Sequence, residues 1–332
     1  MNEGMLEQLV ANCLKSAYGI EVAQLTQLAL GADMNASVYK AQAKDLRLYF
    51  VKVKRGAEYD VGASVVERLF DAGIIQVIAP INTIQGQATL LFQGYTISVY
   101  PFIEGQNGFS QELTDSQWHS LGKALRQIHE LVLPPSLKSR LRHEGYSAHW
   151  RDAVRALFIH IEGAVIDDEI ATKLVAFMKQ NMPAIRRLVD RAEALGQLLK
   201  NQTHTFVLCH SDIHAGNVLI EGSDSIYIVD WDDPIMAPKE RDLMFIGGGV
   251  ANVWNQPQEE TLFYSGYGNT EVNSTLMAYY RHERIVQDIA EYGNALLLTE
   301  ASGEDRLEMY KQFVGMFEPR GVVDIAFKTD FA

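Results

Sequence analysis

The chain has 332 residues with 29 Lys and Arg against 42 Asp and Glu, a formal net charge of −13. A field of that sign repels nucleic acid and favours cationic partners, and 47% hydrophobic residues with only 9 Pro exclude a disordered or low-complexity chain. Cys13 and Cys209 are too few for a disulfide framework and too far apart in sequence for a zinc motif, so both read as buried thiols in a reducing compartment.

The opening Met1-Asn2-Glu3-Gly4-Met5 has neither a basic start nor a long apolar run, so no secretory signal is expected. No stretch approaches the ~18 apolar residues that a membrane helix requires, and the cytoplasm is the expected location. Leu6, Leu9, Val10, Cys13 and Leu14 recur at helical spacing and predict an amphipathic helix over 5–17. The runs 25–30, 37–43 and 46–54 are short and β-prone, and predict an antiparallel meander. Val61, Val65, Leu69 and Ala72 place a helix over 60–72, closed by Gly73. Thr89–Phe92 and Tyr95–Phe102 predict a hairpin about Gln93-Gly94. Thr114 or Ser116 caps a helix that buries Trp118, Leu121, Leu125 and Ile128. Further helices are expected over 146–162, 166–180 and 183–199. Phe206–Cys209 then reads as a buried strand, and Val218–Ile220 with Ile226–Val229 as a hairpin across Gly222-Ser223. From 240 onward the pattern is mostly helical. The expected fold class is α+β and bilobal. A small β-rich lobe over 1–101 and a larger, mainly helical lobe over 102–332 meet at a hinge near 100–105.

The densest polar cluster runs from His210-Ser211-Asp212 to Asn217, then Asp230-Trp231-Asp232. Asp212 follows a buried strand and sits on a loop. Asn217 precedes the next strand and Asp230 ends the one after. A hairpin returns its two ends to one place, so Asn217 and Asp230 are expected to be neighbours. An amide oxygen and carboxylates converging at one edge suit a hard divalent cation. Phosphoryl transfer needs such a site, where metal offsets the charge of phosphate oxygens.

His-x-Asp-x-x-x-x-Asn over 210–217, followed thirteen residues later by Asp230, resembles the catalytic segment of the protein-kinase-like fold, and in particular the aminoglycoside phosphotransferase family. Gln117–His129, which ends Leu125-Arg126-Gln127-Ile128-His129, and Glu240-Arg241-Asp242-Leu243 extend the likeness to about residues 25–290. The resemblance implies ATP and Mg²⁺ as cofactors, Asp212 as the catalytic-loop carboxylate, and Asn217 and Asp230 as magnesium ligands. His210 would steady the loop, and Asp242 would anchor it. Lys52 falls at the phosphate-binding lysine. Its carboxylate partner is expected from the helix over 60–72, with Asp60 in best register and Glu58 and Glu67 as rivals. Lys54 reads as a surface lysine. Backbone groups of Asn35–Ser37 could cradle phosphate, although a single glycine, Gly31, makes that loop a weak match. Adenine is expected at the hinge, beside Tyr100 and Phe102.

Asp230-Trp231-Asp232 stands where protein kinases have Asp-Phe-Gly, and no lysine follows Asp212 by two residues, which argues against a peptide substrate. The stretches 237–248 and 279–289 resemble the spectinomycin-phosphorylating branch of the family. That likeness implies transfer of the γ-phosphate to a ring hydroxyl of a cationic aminocyclitol. Candidates for holding its ammonium groups and ring faces are Asp212, Asp232, Trp254, Glu283, Asp288 and Glu291. No nucleic acid, membrane or obligatory protein partner is expected. The alternative is a metabolite kinase of the same fold, acting on choline, methylthioribose or homoserine. A nucleotide-binding or protein-interaction module without catalysis would be expected to have lost Lys52, Asp212, Asn217 or Asp230, and all four are present.

Overall fold

The computed structural model describes residues 3–28, 36–56, 60–163, 168–299 and 304–330. The expected strand end at 29–30, the turn over 31–35 with Asn35, the side chains of Glu58 and Asp60, and the helix start at 166–167 lie outside the described residues. Two compact units are present: Met1–Arg142 with Gly216–Ile235, and His143–Ala215 with Met236–Ala332.

In the first unit, helix α1 (Glu3–Tyr18) precedes strands β1 (Val22–Leu28), β2 (Ala36–Ala43) and β3 (Leu48–Arg55). Helix α2 (Asp60–Asp71) follows, then β4 (Thr89–Phe92) and β5 (Tyr95–Pro101). These strands form an antiparallel sheet in the order β1-β2-β3-β5-β4. The meander is therefore as expected. The later hairpin joins it through β5, which lies between β3 and β4. Alternation sorts the side chains of β3. Tyr49, Val51 and Val53 enter a core with Leu9, Val10, Cys13 and Leu14 of α1 and with Ile97 and Val99 of β5. Phe50, Lys52 and Lys54 are left on the opposite face.

A second small sheet in this unit has the order β10-β9-β6, from β6 (Gln106–Asn107), β9 (Val218–Glu221) and β10 (Ser225–Ile228). Helix α3 (Asp115–Glu130) starts at a full capping box. The Thr114 side chain accepts from the Gln117 backbone, and the Gln117 side chain accepts from the Thr114 backbone. Gln117 also donates to the Gly222 carbonyl at 3.1 Å, tying α3 to the turn between β9 and β10. Thr114 rather than Ser116 is thus the cap. A short α4 (Pro135–Lys138) follows.

The second unit is mainly helical. Its elements are α5 (His149–Gly163), α6 (Glu169–Gln180), α7 (Met182–Lys200), α8 (Glu240–Leu243), α9 (Pro257–Tyr267), α10 (Ser274–Leu297), α11 (Glu304–Gly315) and α12 (Val322–Thr329). Strands β7 (Arg142–His143), β8 (Val207–Cys209) and β11 (Ile235–Ala237) form a short sheet in the order β7-β11-β8, and the unit limits fall within β7 and β11. Helix α10 is the axis of the core. Its Ile285, Val286, Ile289 and Ala290 pack with Val154 and Leu157 of α5, and with Ile185, Leu188 and Val189 of α7. Each buried Ile, Leu and Val among these contributes about 1.5–3 kcal/mol on burial, which ties α10 to α5 and α7. Cys13 and Cys209 are both buried thiols. Among the described residues no helix is long and apolar enough to cross a membrane.

Candidate active site

In the first unit the hairpin brings Asn217 and Asp230 together. The Val229 backbone N–H donates to the Asn217 carbonyl at 2.9 Å, just beyond the paired ends of β9 and β10. Asp230 then takes a left-handed backbone with φ 63°, which re-aims the chain where the strand would otherwise continue. Its Oδ1 accepts from Lys52 Nζ at 2.6 Å, and Asp232 Oδ2 accepts from the same ammonium at 2.7 Å. Burial alone would favour a neutral Lys52, but the two carboxylates outweigh it and hold the amine protonated, well above its usual range.

One sequence expectation needs correction at this point. Lys54 is 4% exposed and pairs with Asp232, so it is not a surface lysine. Strand alternation puts it on the Lys52 face, and the 230–232 segment covers that face. Asp232, expected to receive a substrate ammonium, is the counter-ion of two lysines. Among the described residues Lys52 pairs with Asp230 and Asp232, and Glu67 of α2 instead accepts from Asn82 at 2.9 Å, while the side chains of Asp60 and Glu58, the other expected partners, lie outside the described residues. Helix α2 contributes differently, through Gly62. A Cβ there would stand 1.9 Å from the Trp231 carbonyl oxygen, so only glycine lets the helix approach the 230–232 segment this closely.

Ser37 lies in β2 opposite Val53, and Lys52 pairs in register with Ser98. Tyr100 pairs with Phe50 across β3 and β5, their rings 6.3 Å apart, on the strand face that carries Lys52. Just past β5, Phe102 donates its N–H to the Leu48 carbonyl at 3.1 Å and lies under the Lys40 ammonium, 4.3 Å from the ring centroid.

In the second unit Asp212 sits on the loop after β8. Asp242 of α8, fully buried, accepts the backbone N–H of His210 at 2.9 Å and of Ser211 at 2.7 Å. Ser211 has φ 76°, a conformation that costs a non-glycine residue of order 1–3 kcal/mol and that those two bonds hold in place. The Asp212 N–H donates to His210 Nδ1 at 3.2 Å, which gives His210 the steadying role expected of it. Replacing Asp242 with Ala leaves two buried N–H groups without their carboxylate. We expect a loss of about 2–5 kcal/mol in unfolding free energy, measured by urea denaturation. A loss below about 1 kcal/mol would show that the loop does not depend on that anchor.

The Asp212 carboxylate is gripped by Arg284 of α10 at Oδ1, and Oδ2 lies 3.5 Å from His214 Nε2. Burial pushes this acid up, yet Arg284, His214 and His210 together hold it well below the usual carboxylate range. Arg284 Nε also donates to Asp288 Oδ1 at 2.9 Å. Burial pushes the Asp288 carboxyl up to about 6 despite that contact. Asp288, one of the anticipated substrate carboxylates, therefore stands within one guanidinium of Asp212. Glu283 does not. It is buried against Arg151, which also bonds Glu193 at 3.1 Å, and burial raises its carboxyl to about 7 against the pull of Arg151. Glu291, an exposed residue, accepts from Gln287 at 3.0 Å. Trp254 is buried beyond a 3₁₀ turn, Val250–Asn252, with φ 58°.

Arg284 was missed as a site residue. A run of alternating charges on one helix reads as a solvated face, and only its spacing of four from Asp288 hinted at a pair.

A solved structure of spectinomycin phosphotransferase APH(9)-Ia, in complex with ADP and spectinomycin, is 47% identical to this chain and superposes with a TM-score of 0.91, covering 98% of each chain. An ethanolamine kinase from Plasmodium vivax shares the fold at 14% identity and a TM-score of 0.60, covering 99% of this chain and 91% of that one. An uncharacterized protein of Metamycoplasma hominis is 28% identical over 92 residues, which span 28% of this chain and 17% of that protein's length. Residues 26–268 match the phosphotransferase enzyme family, a span that contains Lys52, the anchored Asp212 loop and the Asn217–Asp230 hairpin, and the chain accordingly belongs to that family.

Proposed function

We propose that this protein transfers the γ-phosphoryl group of ATP to a ring hydroxyl of spectinomycin, a cationic aminocyclitol. The observation that carries this reading is the near-complete match, at 47% identity, to a phosphotransferase crystallised with ADP and spectinomycin. The net charge of −13 supports a cationic acceptor. Residues 1–101 serve the nucleotide in this proposal, and residues 102–332 serve catalysis and the acceptor.

The chemistry assigned to each residue follows from its surroundings. Asp212 is ionised at neutral pH and held by a cation, so it is a weak base. It aligns the acceptor hydroxyl by accepting its hydrogen bond, and a loose transition state asks for little more. Lys52, kept protonated, offers positive charge to phosphate oxygens. Backbone N–H groups of Asn35–Ser37 are assigned to phosphate, and Tyr100 and Phe102 to the adenine side. Asp60 is retained as a further partner for Lys52. The Asn217 amide oxygen and the Asp230 carboxylate are hard oxygen donors joined by the Val229–Asn217 bond, and that donor set fits Mg²⁺. When bound, the cation supplies charge compensation to the transferring phosphoryl group. Of the carboxylates assigned to the acceptor's ammonium groups, Asp212 and Asp288 lie together on either side of Arg284, which engages one oxygen of each. Asp232, Glu283 and Trp254 would require rearrangement of the contacts described above.

The test is ADP release with magnesium-ATP and a panel of acceptors: spectinomycin, other aminoglycosides, choline, methylthioribose and homoserine. Turnover with spectinomycin should exceed every other acceptor. Equal or faster turnover with choline or another metabolite alcohol would replace this reading with the metabolite-kinase one.

A further inference from the structure

We infer that Arg284 is a positioning residue for the proposed transfer: its guanidinium, braced by Asp288, holds one oxygen of Asp212 and thereby directs the acceptor hydroxyl to the other. The inference rests on the reading of Asp212 as the aligning carboxylate.

Three observations carry it. First, Arg284 stands on the helix at the centre of its unit's core and is followed by Ile285 and Val286, which are 2% and 0% exposed. Its Cα is therefore fixed by the core. Second, the guanidinium uses two edges at once, Nη1 on Asp212 Oδ1 and Nε on Asp288 Oδ1 at 2.9 Å. A planar fork bridging two carboxylates sets an angle between them, which a lysine ammonium, a point charge, does not. Third, the contacts close a ring about the carboxylate. The Arg284 guanidinium carbon lies 5.6 Å from the Phe245 ring centroid, the Phe245 and His214 rings are 6.3 Å apart, and His214 Nε2 is 3.5 Å from Asp212 Oδ2. Arg284 and His214 thus flank the two oxygens of Asp212, with Phe245 filling the space behind both. A carboxylate clamped on one oxygen has lost the rotation that would exchange its two faces, and the orientation of an aligning group is worth large factors in rate.

The groups facing Asp212 are Arg284, His214 and His210, and those facing Arg284 are Asp288, Asp212 and Glu291. Arg284→Met keeps the bulk and removes the charge, whereas Arg284→Lys keeps the charge and removes the fork. In Arg284→Met we expect kcat for the acceptor to fall by about 10–100-fold with the ATP KM within about twofold. The sign of the pH effect follows from Asp212. Without its cation the carboxyl protonates at higher pH, so the acid limb of kcat moves upward. Arg284→Lys should keep the acid limb near its wild-type position while kcat stays reduced. Retention of wild-type kcat and acid limb in Arg284→Met overturns the inference. So does a loss that is uniform across pH and accompanied by a lowered Tm, which is what a merely structural ion pair would give.

A second measurement separates this inference from the choice of substrate. Carbon-13 NMR of the Asp212 carboxyl, in acceptor-free protein, should show its titration displaced to higher pH in Arg284→Met. If wild-type protein fails on spectinomycin while that resonance moves, the acceptor is wrong and the clamp stands. If the resonance does not move, the clamp is wrong whatever the acceptor.

Discussion

Asp212→Asn is expected to lower kcat by about 10²–10⁴ while leaving ATP affinity nearly unchanged. The expectation follows from the surroundings of the carboxylate. Arg284 occupies Oδ1 and requires an acceptor there, so an asparagine would turn its carbonyl oxygen to the guanidinium. Its NH₂ group would then face the position assigned to the acceptor hydroxyl, offering a donor where an acceptor is needed. Asp288 remains as a partner for Arg284, so the variant should fold. Steady-state kinetics with calorimetric ATP binding separates the outcomes. A variant within a few-fold of wild type would remove Asp212 from its aligning role, and a parallel collapse of ATP binding would point to a structural one.

Asp230→Ala and Asn217→Ala are expected to abolish metal-dependent turnover. Losing several kcal/mol of charge compensation corresponds to about 10³ or more in rate. The two substitutions are clean for different reasons. Asp230→Ala leaves Lys52 paired with Asp232 at 2.7 Å, so the buried ammonium keeps a counter-ion. Asn217→Ala removes the amide but keeps the backbone carbonyl that receives the Val229 N–H, so the hairpin closure survives. Manganese binding followed by electron paramagnetic resonance should weaken in both variants, which reports on the site without turnover. Ordinary activity at matched magnesium in either variant would contradict its assignment as a ligand.

The same residues show what could be read along the chain and what could not. Strand alternation in β3, a helix cap at Thr114 or Ser116, and the hairpin that closes Asn217 near Asp230 were all legible, because each depends on neighbours within a few residues. The spacing of His210, Asp212, Asn217 and Asp230 pointed to phosphoryl chemistry through its resemblance to the family's catalytic segment. Asp242 could be assigned as the loop anchor only through the family resemblance, and its two backbone bonds now give that role a physical basis.

Which charge meets which was not legible. Lys54 is a buried partner of Asp232, some 178 positions away, and Lys52 pairs with Asp230 and Asp232 from the same distant segment. Arg284 reaches Asp212 across 72 positions, and Gly62 matters only because the Trp231 carbonyl lies against it. Sequence by itself determined the strands of the five-stranded sheet, the β9–β10 hairpin and the reactive residue types, because short-range sterics and hydrogen bonding act between residues close in the chain. Tertiary structure alone decided the ion pairs and the close approach of α2. Those depend on which faces the cores turn toward one another, and long-range Coulomb and packing forces have no sequence separation at which to be read.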